Sequence, residues 1–167
     1  MSDIKLLISK FNLKPHPEGG YFSETYRSEG QIPASTLPSA YSGNRNFSTA
    51  IYFLLTSDTF SAFHRINQDE IWHFYSGSPL KLYLISDKGE YSEQNIGSDF
   101  SDGQIPQFAV PGGYWFAAKT INPDSFSFVG CTVAPGFDFD DFVLPKRDEL
   151  LTKFPKHQEI IKRLTHS

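Results

Sequence analysis

The chain lacks the features that mark several large classes of protein. It has a single cysteine, Cys131, so no internal disulfide can form, which is typical of proteins of the reducing cytosol. No segment approaches the ~18 consecutive apolar residues of a membrane span, and the first residues do not have the layout of a secretory signal peptide. We therefore expect a cytoplasmic protein with no membrane partner.

An excess of basic residues is also missing. The sequence has 15 Lys and Arg against 19 Asp and Glu, a net charge of −4 and a pI near 5.7. Charged residues make up 20% of the chain, below the usual ~25%. A protein that neutralises a phosphate backbone needs clustered positive charge. We therefore expect no nucleic-acid partner.

Aromatic residues, in contrast, are abundant. The 167 residues include 16 Phe, 8 Tyr and 2 Trp, together with 12 Gly and 11 Pro. The length is that of one domain at roughly 150 residues per domain, so we predict a single domain over residues 1–167. Rings together with turn-forming residues favour short strands around an aromatic interior.

Only the two ends of the chain have helical periodicity. Ile4, Leu7, Ile8 and Phe11 predict an N-terminal helix over about residues 3–12, and apolar residues recur similarly in helical segments over about 146–165. Between them, residues 20–144 consist of short β-type runs without helices, which predict an antiparallel sandwich or barrel. The runs are Tyr21–Arg27, Phe47–Leu55, Thr59–Ile66, Glu70–Tyr75, Leu80–Ile85, Gln107–Val110, Tyr114–Ala118 and Phe126–Ala134.

The segment Ser28–Asn46 has few large apolar residues. It is predicted to be a long loop, either a mobile lid near a site or a tolerated surface excursion.

Titratable residues concentrate in residues 60–80. If residues 60–66 form a strand, alternation places His64 on one face, and a turn followed by a second strand brings Glu70 and Trp72 to the same side. The alternation directs His73 away from Glu70. Burial of a histidine and a carboxyl on an apolar face is costly unless they pair with each other, with other polar groups or with a ligand.

This hairpin resembles the first motif of the cupin superfamily. His64, Glu70 and Gly77 stand at motif spacing, whereas Ile66 replaces the second motif histidine and Asp58 the opening glycine.

The second cupin motif is matched only in part. Pro111 and Gly113 are kept, but Phe116 replaces its histidine, Thr120 its asparagine and Ile105 its opening glycine.

Four longer sequence segments, given at the end of this paragraph, strengthen the resemblance. Together with the hairpin they are similar to one uncharacterised cupin branch, often described as predicted sugar epimerases, over about residues 4–154. The resemblance implies an all-β, double-stranded β-helix (jelly-roll) barrel with short flanking helices, usually dimeric, so we expect a homodimer. The segments are residues 16–20, 24–28, 64–77 and 130–142.

A metal shell in such barrels consists of three histidines and one carboxylate, and this chain keeps only His64 and Glu70 of that set. Ile66 and Phe116 have no lone pair to donate. A third ligand would require a bulge that turns His73 inward, or recruitment of Gln107 or a tyrosine. We therefore expect no metal or other cofactor, with a divalent metal at His64 and Glu70 as the alternative.

Without a metal, a histidine beside a carboxylate is the arrangement that a general base requires. Epimerisation beside a carbonyl needs this base, a donor that stabilises the enolate and an acid on the opposite face. Metal-free epimerases of similar fold use a His base and a Tyr acid, which implies His64 as the base and Glu70 as its orienting carboxylate. Tyr52 is a candidate acid because it lies in the adjacent run, residues 51–55, and Tyr114 is a weaker candidate.

The candidate ligand-binding residues are polar and aromatic side chains near the proposed site. Arg27 would bind an anionic group, with an ion pair to Glu24 or Glu29 as the alternative, and the rings would stack on a sugar or base or simply fill the core. Cys131 is expected to be a buried strand residue without reactivity. The candidates are Arg27, Gln107, Tyr114, Trp115, Phe116 and Trp72.

Three function classes remain open. The first is a metal-independent epimerase or isomerase acting on a sugar or nucleotide-sugar. The second is a non-catalytic cupin that binds a small molecule, with the His64 and Glu70 pair as a remnant of a metal-binding ancestor. The third is a metal-dependent cupin with an atypical ligand shell. Residue patterns do not separate the first two, because both need a concave, ring-lined pocket.

Overall fold

The computed structural model describes residues 3–166, which form three α-helices and twelve strands. The helices are α1 (Asp3–Lys10), α2 (Arg147–Lys153) and α3 (Gln158–Arg163). The strands are β1 (Lys14–Pro15), β2 (Tyr21–Arg27), β3 (Gln31–Ile32), β4 (Arg45–Asn46), β5 (Thr49–Thr56), β6 (Ser61–His64), β7 (Asp69–Gly77), β8 (Leu80–Ile85), β9 (Tyr91–Ile96), β10 (Gln107–Val110), β11 (Trp115–Thr120) and β12 (Phe126–Ala134).

Two antiparallel sheets face each other and form the barrel. The larger sheet has the strand order β1-β2-β5-β12-β7-β10, and the smaller has the order β6-β11-β8-β9. The core lies between them, where Phe53, Trp72 and Val129 of the larger sheet meet Leu82 and Phe116 of the smaller one. These large side chains are almost completely buried, and apolar burial of this kind is the main driving force for folding.

The helices cover the outer faces of the sheets. Leu150 of α2 and Ile161 of α3 pack with Phe63 and Tyr83 of the smaller sheet, and α1 packs through Leu7 and its neighbours on the larger sheet. The predicted terminal helices are therefore present, although α1 ends at Lys10 rather than residue 12. None of the helices in residues 3–166 is both long and apolar enough to cross a membrane.

Every predicted run contributes to a strand, but the sequence prediction missed β9 and the two-residue strands β1, β3 and β4. The sequence of β9, Tyr-Ser-Glu-Gln-Asn-Ile, is mostly polar and does not show the β-branched and aromatic enrichment on which the prediction relied. The strand lies at the edge of the smaller sheet, pairs along its length with β8, has one further bridge from Ile96 to Ile105, and exposes its first three residues. An edge strand can be polar because only part of it is buried.

The predicted loop 28–46 is folded back on the barrel. Its strands β3 and β4 form a small ladder, and the Asn46 side chain donates to the Ser28 carbonyl oxygen at 2.7 Å. At the end of the loop, Arg45 reaches the segment that follows β12. Its guanidinium donates to both carboxylate oxygens of Asp141, at 2.7 and 2.8 Å. The structure thus favours an anchored surface excursion over a mobile lid.

Asp141 is the centre of a buried polar network. Arg45 and Asp141 are 4% and 3% exposed, and the side-chain amides of Gln68 and Asn67 also donate to the carboxylate, at 2.7 and 3.1 Å. Burial alone would raise the pKa of Asp141, but the hydrogen bonds from Arg45, Gln68 and Asn67 outweigh it and lower the pKa. The network therefore holds residues 136–142, which carry several of the rings described below, against the barrel.

Removal of one member of this ion pair is expected to be costly. Asp141→Ala leaves the buried Arg45 charge unpaired, so it should lower the free energy of unfolding by about 3–5 kcal/mol. Lys81→Met, which breaks the exposed Lys81–Glu93 pair, should cost about 1 kcal/mol or less. Urea unfolding of both variants measures the difference. Equal, small losses would show that the Asp141 network does not stabilise the fold.

Candidate functional site

A cavity of about 240 Å³ lies within the barrel against the inner face of the larger sheet. Its wall combines aromatic rings with carboxyl groups, and residues 137–142 close one side of it. The lining residues are His16, Glu18, Phe22, Glu24, Arg27, Thr49, Ile51, Phe53, His64, Ile66, Glu70, Trp72, Cys131, Val133, Phe137, Asp138, Phe139 and Phe142.

His64 ends β6 and is held at both ring nitrogens. Its Nδ1 lies 2.8 Å from the Ala62 carbonyl oxygen, which can only accept, so Nδ1 carries a proton. Its Nε2 lies 3.1 Å from Oε2 of Glu18. The side chain is 3% exposed, and burial lowers the pKa of His64 to about 3. In a neutral ring with the proton on Nδ1, Nε2 is the hydrogen-bond acceptor, so it faces Glu18 with a lone pair.

Glu18 complements this arrangement. Its Oε1 accepts a hydrogen bond from the Ser61 hydroxyl at 2.9 Å, and its backbone carbonyl accepts from the Ala62 N–H at 2.8 Å. Burial, with a smaller contribution from the nearby Glu70, raises the pKa of Glu18 well above its usual range. A protonated Glu18 carboxyl donates to His64 Nε2, so the two side chains share one proton. We call them the Glu18–His64 pair.

Glu18 reaches the cavity because of the glycines that follow it. Gly19 and Gly20 have φ values of 114° and 74°, which favour glycine. A side chain at residue 19 would collide with the backbone carbonyl of Phe60. The close approach of this turn to the segment before β6 therefore depends on the glycine and places Glu18 beside Ser61 and His64.

Glu70 lies on β7 and lines the same cavity as His64, as alternation in the hairpin predicts. The expected direct pairing of Glu70 with His64 is wrong, because no ion pair within 4 Å joins them and Glu18 occupies that position. Burial raises the pKa of Glu70 to about 7, and a hydrogen bond with the Cys131 thiol partly opposes this shift. Cys131 is buried as expected, but it belongs to the cavity wall.

Tyr52, the expected acid, does not face the cavity. It lies on β5 between Ile51 and Phe53, which do line the cavity, so alternation directs Tyr52 to the opposite face of the sheet. There its ring packs under α1, with centroids 4.8 Å from Phe11 and 5.3 Å from Phe128. The expectation that Tyr52 acts from within the barrel is therefore wrong.

Four of the expected ligand-binding residues also lie outside the cavity wall. Trp115 packs in the outer cluster beneath α2, and Gln107 is exposed on the edge strand β10. Tyr114 packs against the core, and Phe116 fills it with a ring centroid 4.1 Å from that of His64. Of the expected aromatic residues, only Trp72 lines the cavity.

Arg27 lines the cavity, but its guanidinium already has hydrogen-bond partners within the protein. Its guanidinium donates to both carboxylate oxygens of Glu24 at 2.8 Å, to Oδ1 of Asn46 at 2.9 Å and to the carbonyl oxygen of Phe137 at 3.0 Å. The ion pair with Glu24, one of the two alternatives considered from the sequence, is thus the one that forms. An anionic ligand would have to displace these partners.

Sequence reasoning missed His16 and Glu18 as well as the rings of Phe137, Phe139 and Phe142. Residues 16–20 were used only as part of the family resemblance, but two of these five residues are acid–base groups on the cavity wall. The sequence feature that could have identified them is a histidine and a glutamate two residues apart, followed by two glycines that favour a tight turn.

A metal shell does not fit this cavity. Ile66 and Phe116 occupy two of the four positions that hold ligands in metal-containing cupins, and both are buried apolar side chains. Within residues 3–166, no group of three or more His, Cys, Asp or Glu side chains is arranged to hold a metal ion. Of the two remaining motif ligands, His64 is engaged with Glu18, so we derive no chemistry through a metal.

The comparisons with known proteins agree with this architecture. Residues 5–145 match the family model described as cupin superfamily (DUF985). An uncharacterized protein of Saccharomyces cerevisiae is 33% identical over 159 residues, which cover 90% of this chain and 79% of the yeast protein.

Solved structures are similar over nearly the whole chain. A protein of Shewanella oneidensis is 39% identical, with a TM-score of 0.87 and 99% of both chains covered. A hypothetical protein from Leishmania major is 31% identical, with a TM-score of 0.89 and 98% of both chains covered. A cupin 2 domain-containing protein at 9% identity has a TM-score of 0.57, a likeness of fold alone. The expected jelly-roll barrel is confirmed.

The raised pKa of Glu70 predicts a dependence of stability on pH. The folded state holds this proton more tightly than the unfolded state, so stability is lost as the pH rises from about 4.5 to about 7. Glu70→Gln removes this contribution, which amounts to at most about 3 kcal/mol. Between pH 5 and pH 8, the free energy of unfolding measured with urea should therefore fall less in the variant than in the wild type.

Glu90→Gln, which changes an exposed carboxyl, is the control and should keep the wild-type loss. A Glu70→Gln variant with the same loss as the wild type would show that Glu70 is ionised normally.

Proposed function

We propose a function from one premise: the chain belongs to the cupin superfamily, in the family described as DUF985. The proposal is a metal-independent isomerase or epimerase that moves a proton at the carbon beside a carbonyl group of a small organic compound. The observation that carries it is the presence of two separate buried acid–base groups, Glu70 and the Glu18–His64 pair, in one ring-lined cavity.

Glu70 is the proposed base. With a pKa of about 7, it is present in both protonation states near neutral pH, which is the condition under which a carboxyl group transfers protons most effectively. Besides burial, the group that acts on the pKa of Glu70 is the Cys131 thiol, which is only a weak donor. The carboxylate therefore keeps lone pairs for a proton of the ligand.

The Glu18–His64 pair is the proposed acid. It holds one exchangeable proton between Oε2 of Glu18 and Nε2 of His64, which are 3.1 Å apart. When the pair gives this proton to the ligand, it is left as a carboxylate beside a neutral imidazole. The Ser61 hydroxyl already donates to Oε1 of that carboxylate and stabilises it. After release of the product, Glu70 gives the abstracted proton to solvent and the pair regains its proton from solvent.

The cavity also narrows the class of ligand. Its volume of about 240 Å³ is below the ~300–1,000 Å³ typical of sites for drug-sized molecules, so the compound has at most about the size of a monosaccharide. Glu24 and Asp138 lie on the wall with Arg27, the one Lys or Arg among the lining residues, and Glu24 already neutralises its charge. This charge balance favours a free sugar or similar neutral compound over a diphosphate-linked one.

The alternative is a cupin that binds such a compound without catalysis. The rings of Phe22, Phe53 and Trp72 on the cavity wall support binding without catalysis as well as they support catalysis, because they suit the apolar faces of a small organic ligand. In that function, Glu70 would serve only as a hydrogen-bonding group.

The proposed assembly is a homodimer. Besides the family resemblance, the support comes from the larger sheet, where Tyr26 and Tyr75 are 55% and 50% exposed. Exposed rings on a sheet surface are typical of a face that a second copy covers.

Exchange of the proton beside the carbonyl with solvent tests the function directly. Incubation of the wild type in deuterium oxide with a panel of free keto- and aldo-sugars should label one of them at that carbon, as measured by NMR or mass spectrometry. Glu70→Gln should lower the exchange rate by about 10²–10⁴-fold, because it removes the base at nearly constant volume.

Two variants outside the cavity serve as controls. Tyr52→Phe and His73→Ala should keep the wild-type exchange rate, since Tyr52 packs under α1 and His73 bonds to Thr132. Absence of exchange across the panel, with a clear thermal shift from one of its members, would favour the binding function instead. Wild-type exchange in Glu70→Gln would contradict the role of Glu70.

The proposed chemistry should also be independent of metal. Treatment with a chelator is expected to leave both the exchange rate and the unfolding temperature unchanged, because the cavity does not provide a metal shell. Elemental analysis of untagged protein is the complementary measurement. Near-stoichiometric metal, together with a loss of exchange on chelation, would overturn the metal-independent proposal.

A further inference from the structure

Proton abstraction beside a carbonyl also needs a donor that stabilises the negative charge which develops on the carbonyl oxygen. We propose that His16 is this donor, through a hydrogen bond from its Nε2–H to the carbonyl oxygen of the ligand. The inference rests on the proposed function and adds a residue with a separate role.

The hydrogen bonds of His16 identify which of its nitrogens carries the proton. Nδ1 lies 3.3 Å from the backbone nitrogen of Glu18, whose N–H can only donate, so Nδ1 is the acceptor. In a neutral imidazole, the proton then resides on Nε2. Nε2 forms no hydrogen bond with any residue in 3–166, although the side chain lines the cavity. It is therefore a donor left for a ligand.

The surroundings keep this imidazole neutral. Four phenyl rings contact it, with centroids 4.6 Å away for Phe22, 6.1 Å for Phe53, 6.2 Å for Phe139 and 5.8 Å for Phe142. Oε2 of Glu18 lies 3.5 Å from Nδ1, and burial raises the pKa of Glu18 well above its usual range, which disfavours the carboxylate that would attract a second proton to the ring. Burial lowers the pKa of His16 to about 4. A neutral imidazole can polarise a carbonyl without losing its proton to the enolate.

The donor is held in place before a ligand arrives. The His16 N–H donates to the Gly20 carbonyl oxygen and the Gly19 N–H to the His16 carbonyl oxygen, both at 3.0 Å. The bond from Ala62 N–H to the Glu18 carbonyl oxygen fixes this turn to β6. A preorganised donor stabilises a developing oxyanion more than a mobile one, because it need not reorganise during the reaction.

Two substitutions separate the donor role from the packing role. His16→Phe keeps a ring among its four aromatic neighbours but removes the donor. It should lower kcat for exchange by about 10²–10³-fold with little change in KM, since the bond strengthens as the oxyanion develops. His16→Gln supplies an amide N–H donor and should recover much of the lost kcat. If His16 acted only through packing, His16→Phe would keep more activity than His16→Gln.

Nitrogen NMR of the imidazole rings gives a readout that does not depend on activity. The His16 signals at pH 7 should show a neutral ring with the proton on Nε2. A charged ring, or a proton on Nδ1, would overturn the inference even if the wild type catalyses exchange.

The same experiments distinguish the two proposals. Wild-type kcat in a folded His16→Phe variant, verified by its unfolding temperature, would overturn the donor role and leave the proposed function intact. A wild type that labels no member of the panel would overturn the proposed function, and with it the donor role, even when NMR finds the expected tautomer.

Discussion

The contact between the Glu18 carboxyl and the His64 imidazole is the interaction on which the site depends. It joins the turn after β1 to the end of β6, and it is reinforced by Ser61 and by the backbone bond from Ala62. Because both side chains are buried, neither ionises easily alone, and a shared proton satisfies both. The turn that carries Glu18 also places His16 on the cavity wall.

The sequence predicted the scaffold well and the site only in part. The barrel, the terminal helices and the common orientation of His64 and Glu70 followed from alternation, from periodicity and from the family resemblance, all of which depend on residues close in the chain. The partner of His64 did not follow, because Glu18 is far from it in sequence and reaches it through two glycines with positive φ. Single-sequence patterns carry no signal for such a long-range contact.

Errors in the assignment of faces have a different cause. Alternation shows which residues of a strand share a face, but not which face points inward. Tyr52 and Trp115 were placed in the site because they lie beside candidate residues, and both turned out to face a covering helix. Ile51 and Phe116, one residue away from each, point into the barrel. Helices pack on the outside of both sheets here, so apolar character alone does not identify the interior.

The apolar residues at positions 66 and 116 bear on the proposed chemistry through the pKa of Glu70. A bound cation would stabilise the carboxylate of Glu70 and lower its pKa. With Ile66 on the cavity wall and Phe116 packed against His64, the same carboxyl is instead desolvated without a counter-charge, and its pKa rises to about 7. The two apolar side chains thus accompany an acid–base group with a pKa near neutral pH. In the proposed reaction, stabilisation of the developing oxyanion comes from a neutral donor, the buried imidazole of His16, whose Nδ1 accepts from the Glu18 N–H and leaves the proton on Nε2.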